Sequence, residues 1–150
     1  MRAVVQRVSH ASVEVEDIPL SSIDRGLLIL LGVEEGDQKE DAAWLATKIT
    51  NMRIFDDDDG RMNLSLKDIS GQALVVSQFT LHASTKKGNR PSFIRAAKPD
   101  TSEPLYEHFC ELLGNELQSE IARGQFGAMM NVSLLNHGPV TIIIDSKLRE

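Results

Sequence analysis

The hydrophobic positions change period several times along the chain, and each change marks an element. Residues 1–8 place Val4 and Val8 on one face and Val5 and Arg7 on the other, and residues 12–16 (Ser-Val-Glu-Val-Glu) alternate more cleanly. Both stretches predict strands, the second with one wet face. Residues 27–33 are continuously apolar, as a strand covered on both faces must be. Gly36-Asp37 then opens a helix. Asp37 with Glu40 three residues later has the form of a capping box, and Ala42, Ala43, Leu45, Ala46 and Ile49 line an inner face as far as about Asn51. Residues 53–55 and 62–66 read as short strands. Residues 72–81 read as one strand, apolar first and polar at its C-terminal end. A polar loop, 82–101, carries Pro91 and Pro99. The second helix is expected from Ser102 or Glu103 to Gly124, with Leu105, Phe109, Leu112, Leu113, Leu117 and Ile121 on its core stripe. Strands at 126–135 and 140–145 close the chain. Proline cannot donate to a sheet ladder, so Gly138-Pro139 is expected to turn the chain at the tip of a hairpin or to begin a strand.

The order is β-β-β-α-β-β-β-α-β-β, which is not the strict β-α-β alternation of a doubly wound sheet. It predicts an α+β fold, a single domain over residues 1–150. A mixed curved sheet or partial β-barrel would carry two helices packed outside. Composition agrees with a globular chain: 150 residues, 41% hydrophobic and 25% charged. The first eight residues hold no apolar block of signal-peptide length, and the longest apolar run, 26–33, is too short to cross a bilayer. The one cysteine, Cys110, excludes an internal disulfide and fits a reducing cytosol. The expectation is a cytoplasmic protein.

A net charge of −6 argues against non-specific nucleic-acid binding, and so against DNA. Yet five cations (Lys86, Lys87, Arg90, Arg95, Lys98) and no acid lie between residues 86 and 98, while 56–59 are four aspartates in a row. A basic loop on an acidic protein suits a partner that meets one patch through phosphates; the plainer reading is a solvated lysine loop. The aspartates lack the alternation, the glycine and the distal glutamate of an EF-hand, and Asp59-Gly60 favours a tight turn.

No metal-ligand spacing joins His10, His82, His108, His137 and Cys110, so no metal and no cofactor is expected. His108 reads as a helix-surface residue. A Gly-x-Ser-x-Gly elbow and a phosphate-cradling glycine loop are both absent. What remains is Ser77-Gln78-Phe79-Thr80, polar groups at the end of an apolar strand. Such groups are expensive unless hydrogen-bonded. They satisfy neighbouring backbone, or they present a hydroxyl, an amide and backbone N–H groups to a substrate carbonyl as an oxyanion site.

Ser77-Gln78-Phe79-Thr80-Leu81 together with Asn136-His137-Gly138-Pro139-Val140-Thr141 resembles the two signature motifs of the D-aminoacyl-tRNA deacylases. The resemblance extends in order through Gln6-Arg7-Val8, Gly32-Val33, Arg53-Ile54-Phe55, Met62-Asn63, Lys87-Gly88-Asn89-Arg90-Pro91-Ser92-Phe93 and Gly124-Gln125-Phe126-Gly127-Ala128. It covers nearly the whole chain. It implies a cytosolic homodimer that hydrolyses the ester between tRNA and a D-amino acid, and glycyl-tRNA as well. It implies catalytic positions at Ser77, Gln78, Phe79 and Thr80. It also implies a cis Gly138–Pro139 peptide reaching from one subunit into the other's site, with Arg7, Asn136, Thr141 and Met130 in support. Lys86, Lys87 and Arg90 become candidate tRNA contacts. The expected mechanism is a water assisted by the 2′-OH of the terminal ribose, since no base stands beside Thr80 in the sequence; Thr80 as nucleophile is the alternative. A non-catalytic tRNA-binding module and an RNA-independent hydrolase of small D-amino-acid esters are the other readings. The chain departs from the family pattern at His137, where Asp is usual, at His82, where Tyr or Ala is common, and at Ser84, where Asp is common. These departures bear on loop electrostatics and the pH profile.

Overall fold

The computed structural model describes residues 1–149. Among them the chain runs β1 (Arg2–Val15), β2 (Ile18–Ile23), β3 (Gly26–Gly32), α1 (Lys39–Asn51), β4 (Phe55–Asp56), β5 (Met62–Leu64), β6 (Gln72–Ser77), a 3-10 turn (Phe79–His82), α2 (Pro99–Leu117), β7 (Ala122–Arg123) and β8 (Asn131–Asp145). The α+β class is as expected, with two helices on a mixed, barrel-like sheet. Its strand order is β2-β1-β3-β6-β7, β8 joining β1, while β4 and β5 form a separate ribbon. β3–β6 and β6–β7 are parallel. Each of these two connections contains a helix, because parallel neighbours need a crossover. The sheet curls until the ends of the order meet: Ser21 Oγ on β2 donates to the Arg123 carbonyl on β7 at 2.8 Å.

Curling produces two cores. Ala3, Val5, Leu27, Ile29, Leu31, Ala73 and Val75 point to the helix side and meet Leu45, Ile49, Phe109 and Leu113. Val8, Ala11, Val13, Leu28, Leu74 and Val76 point into the curled sheet. β3 and β6 are continuously apolar because both of their faces are covered. Each fully buried Leu, Ile or Val side chain is worth about 1.5–3 kcal/mol relative to exposure.

β1 carries the architecture. β8 runs along one of its edges, and β3 and then β2 take the other. Several expectations change here. The strands expected at 1–8 and 12–16 are one strand. The hairpin expected at Gly138-Pro139 is not a hairpin: both flanking runs belong to β8 and pair β1. The register steps from Gln6↔Thr141 to Val8↔Asn136, two residues of β1 against five of β8, so 137–140 loop out of a continuous strand. The strand expected over 72–81 ends at Ser77 and winds into the 3-10 turn. The second helix starts earlier, with Pro99 in its first turn, and stops at Leu117, where Gln118 takes the left-handed conformation (φ 50°). Ile121 therefore lies beyond it. β2 and β7 had no counterpart in the hydrophobic pattern.

The helix cap also moves. Asp37 does not begin α1. Its carboxylate accepts the Met1 ammonium at 2.6 Å and the Glu34 N–H at 2.7 Å. Gln38 is the N-cap, and Asp41 accepts its N–H at 2.8 Å. Burial alone would raise the Asp41 carboxyl, but the Lys147 ammonium at 2.7 Å and the Gln38 N–H outweigh it and hold it at about 2 instead of 3.8. A carboxyl held down in the fold stabilises above its unfolded pKa and loses that contribution as pH falls toward the folded value. Asp41→Asn is therefore expected to lower stability at pH 7 by about 2 kcal/mol and to shrink the fall in stability between about pH 4 and pH 2. Urea unfolding of both proteins across that range checks it; an unchanged acid limb would refute the assignment.

Candidate functional site

Where β6 runs out, its ladder to β3 continues one more step, the Gln78 N–H donating to the Leu31 carbonyl at 2.8 Å. The chain then tightens into the 79–82 turn. Its first internal bond is Leu81 N–H to Gln78 carbonyl at 3.2 Å. That leaves the N–H groups of Phe79 and Thr80 without partners inside the turn, as at any helix start. The Gln78 amide donates to Thr80 Oγ1 at 2.5 Å. From the far side, Arg2 Nη1 donates to the Leu81 carbonyl at 2.9 Å, and Asp145 holds the same guanidinium through Nε at 3.1 Å. Burial would raise the Asp145 carboxyl, but the Lys147 N–H and Arg2 outweigh it and keep it below the usual carboxylate range.

The turn forms one wall of a cavity of about 670 Å³, with Ser77, Gln78, Phe79, Phe93, Phe126 and Met130 among its lining. Phe79 meets Phe93 edge to face, ring centres 5.0 Å apart. Gly124 is bare where Met130 needs the space: a Cβ there would stand 2.7 Å from the methionine sulfur. Tyr106 closes the floor and donates to the Val75 carbonyl at 3.0 Å. Burial pushes its phenol far above the ordinary range, so it is a structural donor and not an acid–base group. Burial likewise pushes the Cys110 thiol up to about 12, which removes it as a nucleophile.

The second stretch is built by different neighbours. Asn136 staples the neck of the 137–140 excursion, its Oδ1 accepting the Val140 N–H at 2.8 Å and its Nδ2 donating to Gln6 Oε1 at 3.0 Å and Thr141 Oγ1 at 3.1 Å. Arg7, 4% exposed, reaches out from β1. Its Nε donates to the His137 carbonyl at 2.7 Å, and its Nη1 to the Ile54 carbonyl at 2.7 Å and to Asp56 at 3.3 Å. The Gly138–Pro139 peptide is cis, and both residues are exposed. At Gly138 (φ +147°) a Cβ would stand 2.9 Å from the Val140 nitrogen and 3.1 Å from Arg7 Nη2, so the close approach needs glycine.

No hydrogen bond or ion pair among the described residues joins the two stretches within one chain. The 79–82 turn hangs on Arg2 and the 137–140 excursion on Arg7, five β1 residues apart, or about 16 Å at strand rise. Lys86, Lys87 and Arg90 are exposed on a loop closed by paired Ser84 and Ser92 backbones, while Arg95 is held by Glu34. Sequence reasoning missed Arg2 and Tyr106 as neighbours of the site. A basic residue beginning a strand and a tyrosine on a helix's core stripe carry no local signal. No group of His, Cys, Asp or Glu among the described residues is arranged to hold a metal ion. No helix among them is long and apolar enough to cross a membrane.

A family model described as D-Tyr-tRNA(Tyr) deacylase matches residues 4–145. A D-aminoacyl-tRNA deacylase of Bacteroides thetaiotaomicron is 61% identical over 150 residues, 100% of both chains. One of Akkermansia muciniphila is 57% identical over the same full length of both. A solved structure described as a c-Myc DNA unwinding element binding protein superposes with a TM-score of 0.92 at 40% identity, covering 97% of this chain and 98% of that one. A second, described as a probable eukaryotic D-amino acid tRNA deacylase, shares the fold at a TM-score of 0.81 and 17% identity, over 96% and 98%.

Arg7 is buried and donates from two separate nitrogens, Nε and Nη1, positions that a lysine's single ammonium cannot both occupy. Arg7→Lys is expected to cost about 1–3 kcal/mol and to speed amide exchange at Val140, while exchange at Leu81, held by other groups, stays put. Native-state hydrogen exchange reads both sites; equal acceleration at both would show that the fork does not act locally.

Proposed function

Because the chain belongs to the D-Tyr-tRNA(Tyr) deacylase family, we propose that it hydrolyses the ester joining a D-amino acid to the 3′-terminal adenosine of tRNA, releasing both. The reading rests on a full-length match, 61% over 150 residues, to a D-aminoacyl-tRNA deacylase. Its setting is the cytoplasm. Glycyl-tRNA is a second substrate.

The chemistry follows from where hydrogen-bond donors are free. Ester hydrolysis needs water to add to the carbonyl carbon, donors to meet the oxyanion that forms, and a proton for the departing 3′-oxygen. The N–H groups of Phe79 and Thr80 are the oxyanion donors, and Gln78 and Ser77 orient the ester. Thr80 Oγ1 is already the acceptor of the Gln78 amide. An amide cannot take a proton, so Thr80 has no base there and is a poor nucleophile. The ribose 2′-OH, adjacent to the scissile ester, is the better group to direct the water.

Chirality is sorted by exclusion. Exchanging L for D swaps the hydrogen and the side chain on Cα. Backbone carbonyls held rigidly at that position admit a hydrogen and exclude a side chain, whatever the side chain is. Glycine has hydrogens at both positions and passes. Gly138 and Pro139 supply those carbonyls, Arg7, Asn136 and Thr141 hold them, and Met130 shapes the cavity. The Arg7 that holds the stretch stands about 16 Å along β1 from the Arg2 that holds the turn, so the stretch serves the cavity of a second copy. β8 offers that copy a 15-residue edge with Leu135 and Ile143 exposed by 63% and 69%. Lys86, Lys87 and Arg90 contact the tRNA backbone.

Purified protein is expected to deacylate D-Tyr-tRNA and Gly-tRNA, and to leave L-Tyr-tRNA and a small D-Tyr ester intact. Thr80→Val should keep most of kcat. Turnover of the L substrate would overturn the filter, and turnover of the small ester the need for RNA. Binding without turnover would make the chain a tRNA-binding module.

Composite sites predict complementation. A Gln78→Ala chain and an Arg7→Ala chain, each impaired alone, should recover about a quarter of wild-type activity when co-expressed, because half of randomly assorted dimers are mixed and each has one intact site. No recovery would place the two stretches in separate functions. Replacing Lys86, Lys87 and Arg90 with Ala should weaken tRNA binding and lower its salt slope by up to about 3. An unchanged slope would free the loop of that role.

A further inference from the structure

His82, the last residue of the 79–82 turn, presents an anomaly. Its side chain is fully buried, and both ring nitrogens lack a hydrogen-bond partner; among the described residues they are the buried side-chain polar atoms in that position. An unpaired buried imidazole carries a desolvation penalty that an apolar side chain would avoid. The ring sits directly on bare Gly32: a Cβ there would stand 3.0 Å from His82 Cδ2, 3.1 Å from Nε2 and 2.9 Å from the Gln78 carbonyl oxygen. The height of the turn above β3 is thus set by the ring.

On its other side, Nδ1 lies 3.8 Å from Glu34 Oε2, just outside hydrogen-bond reach. Glu34 is not a free surface acid. Its Oε1 accepts Arg95 Nε at 2.6 Å. The backbone around it pairs with the cavity wall, Glu35 N–H to the Arg95 carbonyl at 2.9 Å and Ala97 N–H to the Val33 carbonyl at 3.0 Å. Phe93, at the start of that wall, is the edge-to-face partner of Phe79. A chain of contacts therefore joins one wall of the cavity to the other through His82, Glu34 and Arg95. Arg2 and Asp145 complete the charged groups seen around the turn, on the neighbouring Leu81 carbonyl.

We propose that His82 is a positioning residue for the deacylation. Its ring seats the 79–82 turn on Gly32, and its Nδ1, closing on Glu34, fixes that turn against the 93–97 wall. The inference rests on the reading of Phe79 and Thr80 as oxyanion donors. Donors displaced by a fraction of an ångström lose transition-state stabilisation more than substrate binding.

The test is a set of variants measured with D-Tyr-tRNA for kcat and KM, and by amide NMR for the turn. His82→Ala is expected to lower kcat by about tenfold or more with KM within about threefold, and to move the Phe79, Thr80 and Phe93 amide signals. His82→Asn, which returns an N–H near Nδ1, should recover most of kcat. His82→Phe, which refills the volume without a donor, should recover melting temperature and not kcat. Glu34→Ala should lower kcat and add little to His82→Ala, since both break one chain of contacts. Wild-type kcat in His82→Phe, multiplying effects of the two alanine variants, or unmoved amide signals would each overturn the proposal. The NMR arm reports on positioning even if wild-type protein fails to turn over D-Tyr-tRNA, an outcome that would instead sink the functional reading.

Discussion

A buried guanidinium must find acceptors for several N–H groups at once, and in a sheet protein the acceptors left over are carbonyls where strands stop pairing. β1 carries two arginines at such places, Arg7 buried and Arg2 half-buried. Arg2 takes the Leu81 carbonyl at the end of the 3-10 turn, and Arg7 takes the carbonyls of Ile54 and His137. β1 is paired on both edges and is among the least deformable parts of the sheet. The two irregular stretches are therefore not loose loops. Each is tied by charge-assisted hydrogen bonds to one rigid strand, at a separation that the strand's rise determines.

That arrangement explains why few reactive side chains are needed. Tyr106 and Cys110 are held in their neutral forms by burial, and the Thr80 hydroxyl is engaged by Gln78. Apart from the Ser77 hydroxyl on the cavity wall, what is left free is mainly backbone: N–H groups at the start of a turn and carbonyls on a strand excursion. Backbone groups bring no titration and no rotamers, so their effectiveness depends on placement alone. The polar side chains nearby serve that placement. Asn136 uses both ends of its amide to close the neck of the excursion, and Asp145 and Asp56 each back an arginine.

Periodicity showed the strands and helices whose faces are simply buried. β3 and β6 were legible because two covered faces demand continuous apolar sequence, and α1 because one covered face demands a helical stripe. β2 was not: Ile18 and Leu20 are exposed, so no buried face wrote itself into the pattern. The end of β6 was misread because Gln78 does continue the ladder to β3, and only Phe79 departs from it. Gly138-Pro139 was misread for a deeper reason. Local rules attach a turn to proline, and a turn between apolar runs implies a hairpin. The runs are instead collinear, because a third strand, β1, pairs both and absorbs the extra residues as an excursion. Nothing within ten residues of Pro139 encodes β1. The motif residues themselves were found by resemblance, and their separation along β1 was visible only in the fold.

The remaining question is why a turn that offers bare N–H groups does not collapse onto its neighbours and satisfy them. A short 3-10 turn has few bonds of its own and weak geometry, so its pose must come from outside. Three contacts supply it from three directions: the Leu31 carbonyl continues the strand ladder at Gln78, Arg2 pulls on Leu81, and the His82 ring rests on Gly32. Gln78 and His82 meet the same glycine, so the bare Cα of Gly32 is the seat of the whole turn. With those three points fixed, the N–H groups of Phe79 and Thr80 meet no backbone carbonyl of their own chain. Of the two, Phe79 lines the cavity, and neither N–H has a backbone partner, which is the condition the proposed oxyanion role requires before any substrate arrives.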